Sequence, residues 1–266
     1  MRLRDKVAVI TGGGRGLGRA IALAFAREGA RLVLASDVER EVQAVAEEVR
    51  AAGTKAAALG ADVTRAGDME AMARLAVSEF GSLDVLVTAA GIDGSGLLIE
   101  QDPAAWTRVI DVNLNGTYRA IRAVLPEMMA RQVGRIITIS SVFGKMGGYS
   151  FITAYAASKH GVIGLTRSLA AEIGSQGYAG ITVNAICPGY VRAGMGLAPQ
   201  KAKNREGGVT EMPGTEIFER YLKRRVPQRR MMEAEEIANV AIFLALPETR
   251  GMTGQGLNID GGFFMS

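Results

Sequence analysis

An unbroken apolar run, Val7 to Ile10, leads directly into Thr11-Gly12-Gly13-Gly14-Arg15-Gly16-Leu17-Gly18, and apolar residues then recur at helical spacing through Ala20, Ile21, Leu23, Ala24 and Phe25. A short apolar run without alternation reads as a strand buried on both faces, the condition of a parallel sheet. A parallel partner strand requires a crossover, and the helix after the turn begins one. Glycines in such a turn let the backbone approach a pyrophosphate, and a helix N-terminus stabilises its charge. A tight turn without ligand would use the same glycines. The spacing here is Gly-x3-Gly-x-Gly, not the commoner Gly-x-Gly-x2-Gly.

The same alternation continues along the chain. Strands are expected at 32–35, 61–63 (with 55–59 leading in), 85–87, 135–139, 181–186 and 256–259. Helices are expected at about 39–52, 69–80, from Pro103 in two pieces to about 131, from Tyr155 to about 173, and at 233–246. With no composition break, this predicts an α/β fold: a three-layer, doubly wound parallel sheet in a single domain covering 1–266. The exception is 192–226, where Gly194, Gly196, Pro199, Gly207, Gly208, Pro213 and Gly214 leave only 215–225 helical in pattern. A long irregular insertion after a strand's carboxyl end is expected to act as a lid, and Ile217, Phe218, Tyr221 and Leu222 give it one amphipathic piece.

Composition excludes several classes. Net charge is +4, and the basic residues are spread except for Lys223, Arg224, Arg225, Arg229 and Arg230. That cluster reads first as a solvated helix face and second as a dock for an acidic substrate or carrier; no nucleic-acid motif accompanies it. The one cysteine, Cys187, forms no intrachain disulfide and reads as a small buried hydrophobe. One cysteine and one histidine, His160, supply no His-rich or Cys-rich metal site. No apolar run approaches a membrane span and no signal peptide is evident, so a cytoplasmic location is expected.

Chemistry concentrates around Tyr155-Ala156-Ala157-Ser158-Lys159. Helical spacing places Tyr155 and Lys159 one turn apart on one face. An ammonium beside a phenol favours the phenolate, so Lys159 is expected to lower the Tyr155 pKa and make the pair an acid/base device. In an open parallel sheet, ligands bind beyond the carboxyl ends of the strands. Gly12, Asp37, Asp62, Gly91, Ser141 and Pro188-Gly189 all fall at such ends.

Taken together, Thr11-Gly-x3-Gly16-x-Gly18, Asp62-Val63, Ala90-Gly91, Asn113, Ser141, Tyr155-x3-Lys159 and Pro188-Gly189 resemble, in order and spacing, the short-chain dehydrogenase/reductase family over essentially the whole chain. The resemblance implies a seven-stranded Rossmann sheet, an NAD(P) cofactor, hydride transfer and a homotetramer. It implies catalytic roles for Asn113 (holding a relay water), Ser141 (orienting the substrate oxygen), Tyr155 (proton transfer) and Lys159 (lowering the Tyr155 pKa and bonding the nicotinamide ribose). It implies cofactor contacts from Thr11, Gly12, Arg15, Gly16, Leu17, Gly18, Asp37, Asp62, Val63, Ala90, Gly91, Tyr155, Lys159, Pro188, Gly189 and Val191. Ser140 is an alternative to Ser141 that only the family pattern disfavours, and Asn113 read by itself is equally a helix-kink residue.

Two positions depart from the family pattern: Thr88-Ala89 replaces a pair of asparagines, and Ala193 replaces a threonine. Asp37 favours NAD by repelling a 2′-phosphate, whereas Arg15 suits NADP; NAD is the expected cofactor, with NADP possible. The expected substrate is a small secondary alcohol, sugar alcohol or ketone. Its pocket would be shaped by the lid and by segments 93–98 and 144–152. The alternatives are an NADPH-dependent 3-oxoacyl-carrier-protein reductase and, from another class, a non-catalytic dinucleotide-binding sensor or structural subunit. The apolar tail with Phe263, Phe264 and Met265 is expected to pack against another subunit.

Overall fold

A computed structural model describes residues 1–147, 150–197, 202–203, 209–210 and 216–265. Strand and helix alternate as the sequence predicts. The first half runs β1 (Val7–Thr11), α1 (Gly16–Arg27), β2 (Arg31–Ser36), α2 (Glu39–Ala51), β3 (Ala56–Gly60), α3 (Ala66–Phe80) and β4 (Val85–Thr88). Then follow α4 (Pro103–Ile110), α5 (Gly116–Ala130), β5 (Gly134–Ile139), α6 (Thr153–Ser175) and β6 (Ile181–Pro188). The last part holds a short pair, β7 (Ala202–Lys203) and β8 (Val209–Thr210), then α7 (Glu216–Arg225), α8 (Ala234–Ala245) and β9 (Gly256–Ile259).

Seven strands form one parallel sheet in the order β3-β2-β1-β4-β5-β6-β9. Every residue of β1, β4, β5 and β6 is buried, which is why these strands read as apolar runs without alternation. One face is covered by α1, α2 and α8, where Phe25, Ile21, Val45 and Ile242 meet the sheet. The other is covered by α3, α5 and α6 through Met69, Val124, Met128 and Leu169. Phe25 is fully buried, and truncation to alanine there costs about 3–5 kcal/mol. The order in which successive strands are added reverses at β1, which lies between β2 and β4, with Thr11 paired to Ala35 on one side and Thr88 on the other. That crevice is where a doubly wound sheet presents ligands.

Two local outcomes refine the expected boundaries. The third strand ends at Gly60, so Asp62 and Val63 lie past its carboxyl end rather than within it. The two-piece helix after Pro103 is joined by a π turn, Asp111–Asn115. A π turn inserts one extra residue and recurs at functional sites; here Asn113 stands in its middle.

Candidate active site

The glycine turn fits a dinucleotide phosphate on steric grounds. Gly12 has φ +66°, and a Cβ there would stand 2.7 Å from the Ala90 backbone nitrogen. A Cβ on Gly18 would strike the Gly12 carbonyl. Thr11 binds the neighbouring loop: its carbonyl accepts from Ala89 N–H at 3.2 Å and its hydroxyl from Ala90 N–H at 3.4 Å. Arg15 is the residue before α1 and lends no side-chain cap, so the first-turn N–H groups around Gly16, Leu17 and Gly18 point outward without one. Opposite them comes the segment after β6: Gly194 (φ +51°) approaches Gly16 (φ +55°) so closely that a Cβ on either would lie 3.3–3.4 Å from the other's Cα.

At the β2 end, Asp37 is exposed and, among the described residues, its carboxylate accepts only from the Ser36 hydroxyl, at 3.2 Å. Arg15 extends into solvent, its Nε 3.9 Å from Glu41. Asp62 is half-buried; its Oδ1 accepts from the N–H and hydroxyl of Thr64, both at 2.8 Å, and Val63 beside it is buried. At the β4 end the departure from the family pattern has a visible result. The Thr88 hydroxyl is buried with no hydrogen-bond partner among the described residues, while Ala89 packs on the core.

The four candidate catalytic residues converge from three elements. Ser140 and Ser141 follow β5 and diverge: Ser140 donates to the Lys159 carbonyl at 2.9 Å, while Ser141 accepts from Phe143 N–H at 3.2 Å and its hydroxyl favours ionisation of the Tyr155 phenol. Geometry therefore separates the two serines, and Ser141 is the one on the Tyr155 side. Asn113 is fully buried and its carboxamide is occupied. Oδ1 accepts from Ile92 N–H at 2.8 Å, and Nδ2 donates to the Ile92 carbonyl and the Ser158 hydroxyl, both at 3.0 Å. Lys159 is buried and donates to the Ile139 carbonyl at 2.9 Å, with Nζ 5.6 Å from the centre of the Tyr155 ring.

Protonation differs from the sequence-based expectation. Burial pushes the Tyr155 phenol up to about 12; the Ser141 hydroxyl opposes this and the Asp93 carboxylate adds to it. Burial holds the Lys159 ammonium down to about 8. The expected lowering of Tyr155 by Lys159 is reversed, because both groups lose water together and the ammonium lies over the ring rather than beside the hydroxyl.

On the far side of the cleft, Gly189 N–H donates to the Ile259 carbonyl at 3.0 Å, and a Cβ on Gly189 would meet Asp260 at 2.7 Å. Pro188 closes β6, and the buried Val191 bridges to Met232. The amphipathic piece expected in the lid is α7, and its apolar face is already covered. Phe218 and Leu222 are buried with Val226 and Met231, against Tyr190, Tyr221 and Phe263. Tyr190 meets Phe143, Phe218, Tyr221 and Phe263 edge-on, with centroids 5.3–6.2 Å apart. The Ile217 side chain and residues 198–201, 204–208 and 211–215 of the expected lid lie outside the described ones.

Elsewhere, Lys223, Arg224, Arg225 and Arg229 are exposed, and Arg230 pairs with Glu236 at 2.6 Å. Phe263 and Phe264, of the tail expected to meet another subunit, are half-buried within the chain, with Phe263 packed on Tyr190 and Phe143; Met265 is 82% exposed. Cys187 is buried, and His160 is exposed with Nδ1 2.9 Å from the Ala156 carbonyl. Among the described residues no group of His, Cys, Asp and Glu is arranged to hold a metal, and no helix is long and apolar enough to cross a membrane. Sequence reasoning gave no part to Asp93 beyond bounding a pocket segment, and none to the Ile139 carbonyl. Neither carries a local signal, since the first is defined by its distance to Tyr155 and the second by a main-chain oxygen.

A glycine cradle at the switch point of a doubly wound sheet, beside the half-buried Tyr155 and the buried Lys159 and Ser141, defines an NAD(P)-dependent oxidoreductase acting on C=O or CH–OH groups. The chain belongs to the short-chain dehydrogenase family, whose model matches residues 6–204. It is 38% identical to the 3-oxoacyl-[acyl-carrier-protein] reductase FabG of Staphylococcus aureus, over 98% of both chains. It is also 38% identical to the oxidoreductase UcpA of Escherichia coli, over 98% of this chain and 95% of that one. Among solved structures it resembles an actinorhodin polyketide ketoreductase variant with NADPH (TM-score 0.87, 35% identity, 97% of both chains). Levodione reductase is similar as well, with TM-score 0.85, 32% identity and 97% of both chains covered.

Proposed function

We propose that the chain interconverts a small ketone and its secondary alcohol, with Tyr155 as the proton-transfer residue. The observation that carries this is the placing of Tyr155: its ring centre lies 5.6 Å from the buried Lys159 ammonium, and the Ser141 hydroxyl acts on its phenol, which burial keeps protonated. In reduction, the hydroxyls of Tyr155 and Ser141 would hold the substrate oxygen. A nicotinamide dinucleotide held at the glycine cradle would supply hydride chemistry at the carbonyl carbon. The oxygen takes the Tyr155 proton, giving the alcohol, and the phenolate left behind is stabilised by Lys159 and reprotonated from solvent. Asn113 is a positioning residue in this reading, since its carboxamide is fully engaged in tying the 91–92 loop to α6. The names of the ketoreductase, levodione reductase and 3-oxoacyl reductase relatives share reduction.

NAD is the cofactor these residues favour. Asp37 is an exposed carboxylate at the β2 end, and Arg15 already faces Glu41. The glycine cradle, Asp62, Val63, Ala90, Gly91, Pro188, Gly189 and Val191 would line the rest of that ligand. A second reading, reduction of 3-oxoacyl thioesters on a carrier protein, is favoured by the relatives' names and by the exposed Lys223, Arg224 and Arg225 on α7. A non-catalytic sensor has no use for the Tyr155–Ser141–Lys159 arrangement. The protein would work as a homotetramer in the cytoplasm, as the family resemblance implies; sedimentation showing monomer alone would contradict the first. Nicotinamide absorbance, followed with both dinucleotides and a panel of ketones, alcohols and 3-oxoacyl thioesters, tests the reading. No turnover on any of them would overturn it.

A further inference from the structure

We propose that the cleft of about 520 Å³ between the β4–α4 loop and α4 receives a hydrogen-bond-donating substituent of the ketone substrate, a hydroxyl or ammonium group, with Asp93 as the specificity-determining acceptor. This rests on the reading of the site as a ketone reductase and names its substrate class.

The loop that carries Asp93 is anchored on both sides. Ile92 is held by Asn113 through both main-chain groups. Gly94 lies so close to α6 that a Cβ would be 3.4 Å from that of Ala154, the neighbour of Tyr155, and 2.8 Å from Val109. Gly96 N–H then donates to the Phe151 carbonyl at 2.7 Å, just ahead of α6. Asp93 is therefore fixed beside the catalytic helix, close enough for its charge to act on the Tyr155 phenol.

The lining of the cleft asks for donors. Asp93 Oδ1 accepts from Gly94 N–H at 2.7 Å and Oδ2 from the Ser95 hydroxyl at 3.1 Å, which leaves each oxygen a further lone pair. No cation pairs with Asp93 among the described residues. The Gln101 Oε1 in the same lining is buried and meets no donor among the described residues. Glu100 and Asp102 add negative charge against Arg108 alone, so three carboxylates face one guanidinium. A hydroxyl or ammonium group satisfies these acceptors, whereas a carboxylate is repelled and leaves them unpaired.

The test compares four ketones on one carbon skeleton: unsubstituted, and bearing a terminal hydroxyl, ammonium or carboxylate. Steady-state kcat/KM is measured for wild type, Asp93→Asn and Gln101→Leu. Wild type should prefer the hydroxyl and ammonium ketones over the carboxylate by roughly 10- to 100-fold, the range expected of hydrogen bonds to a charged group. Asp93→Asn should cut the ammonium-to-carboxylate ratio about tenfold, through KM. Gln101→Leu should lower the ratio of the hydroxyl ketone to the unsubstituted one. A wild-type ratio near one, or an Asp93→Asn variant that changes all four substrates in proportion, overturns the inference while leaving ketone reduction intact. Failure of all four with both dinucleotides overturns the reading on which it rests.

Discussion

Lys159 and Tyr155 stand one helical turn apart, yet the ammonium lies 5.6 Å from the centre of the phenol ring and gives its hydrogen bond to the Ile139 carbonyl at 2.9 Å. The lysine is thus tied to the end of β5, and the tyrosine hydroxyl is left to Ser141 and the substrate. Removing only that hydroxyl isolates proton transfer. Tyr155→Phe should lower kcat by ~10²–10⁴-fold while dinucleotide affinity changes little. Turnover within a few-fold of wild type would remove Tyr155 from its assigned role.

The two shifted groups predict opposite pH responses for the two directions. Lys159 loses its charge as pH rises through about 8, so its support for negative charge on the reacting oxygen fades above that point. Tyr155, up near 12, keeps its proton across the same range. Ketone reduction should therefore fall as pH rises through about 8. Alcohol oxidation needs the phenolate and should climb with pH instead. Initial rates in both directions between about pH 6 and 10 check this. Parallel profiles would contradict it.

Asp37 offers a direct test of cofactor choice. An exposed carboxylate facing a 2′-phosphate costs about 1 kcal/mol even in a water-like dielectric. Asp37→Ala should raise the NADP-to-NAD ratio of kcat/KM by roughly fivefold or more. A wild-type preference for NADPH would show that Arg15 outweighs Asp37.

Thr88 predicts a gain in stability. Its hydroxyl is buried without a partner among the described residues, and an unsatisfied buried group of this kind costs about 1–3 kcal/mol. Thr88→Val keeps the shape and removes the polar atom, so it should stabilise by roughly 1 kcal/mol. Urea unfolding measures it, and a lower midpoint at unchanged slope would show that the hydroxyl is satisfied in solution.

Much of this architecture could be read before any coordinates. Val7–Thr11 and Ile181–Pro188 are buried on both faces, and such strands show themselves as unbroken apolar runs. Tyr155 and Lys159 were bound to share a face once their helix was recognised. What stayed hidden depends on depth and on partners distant in sequence. The direction of the Tyr155 shift follows from burial, which spacing does not report. The choice of Ser141 over Ser140 is made by the Lys159 carbonyl, 19 residues on. The π turn at Asp111–Asn115 lies in a segment whose pattern reads as ordinary helix. The half-burial of Phe263 comes from Tyr190, which no local pattern connects to the tail.

The bond from Gly189 N–H to the Ile259 carbonyl joins the turn after β6 to a strand made some seventy residues later. On a ribosome, β1 to β3 and the glycine turn would emerge and meet their helices long before that strand exists. The β1–β3 side of the crevice is thus built from consecutive chain. The turn at Gly189 waits for the final strand to dock. In a nascent chain the glycine turn would be shaped well before the opposite wall of the crevice is tied down.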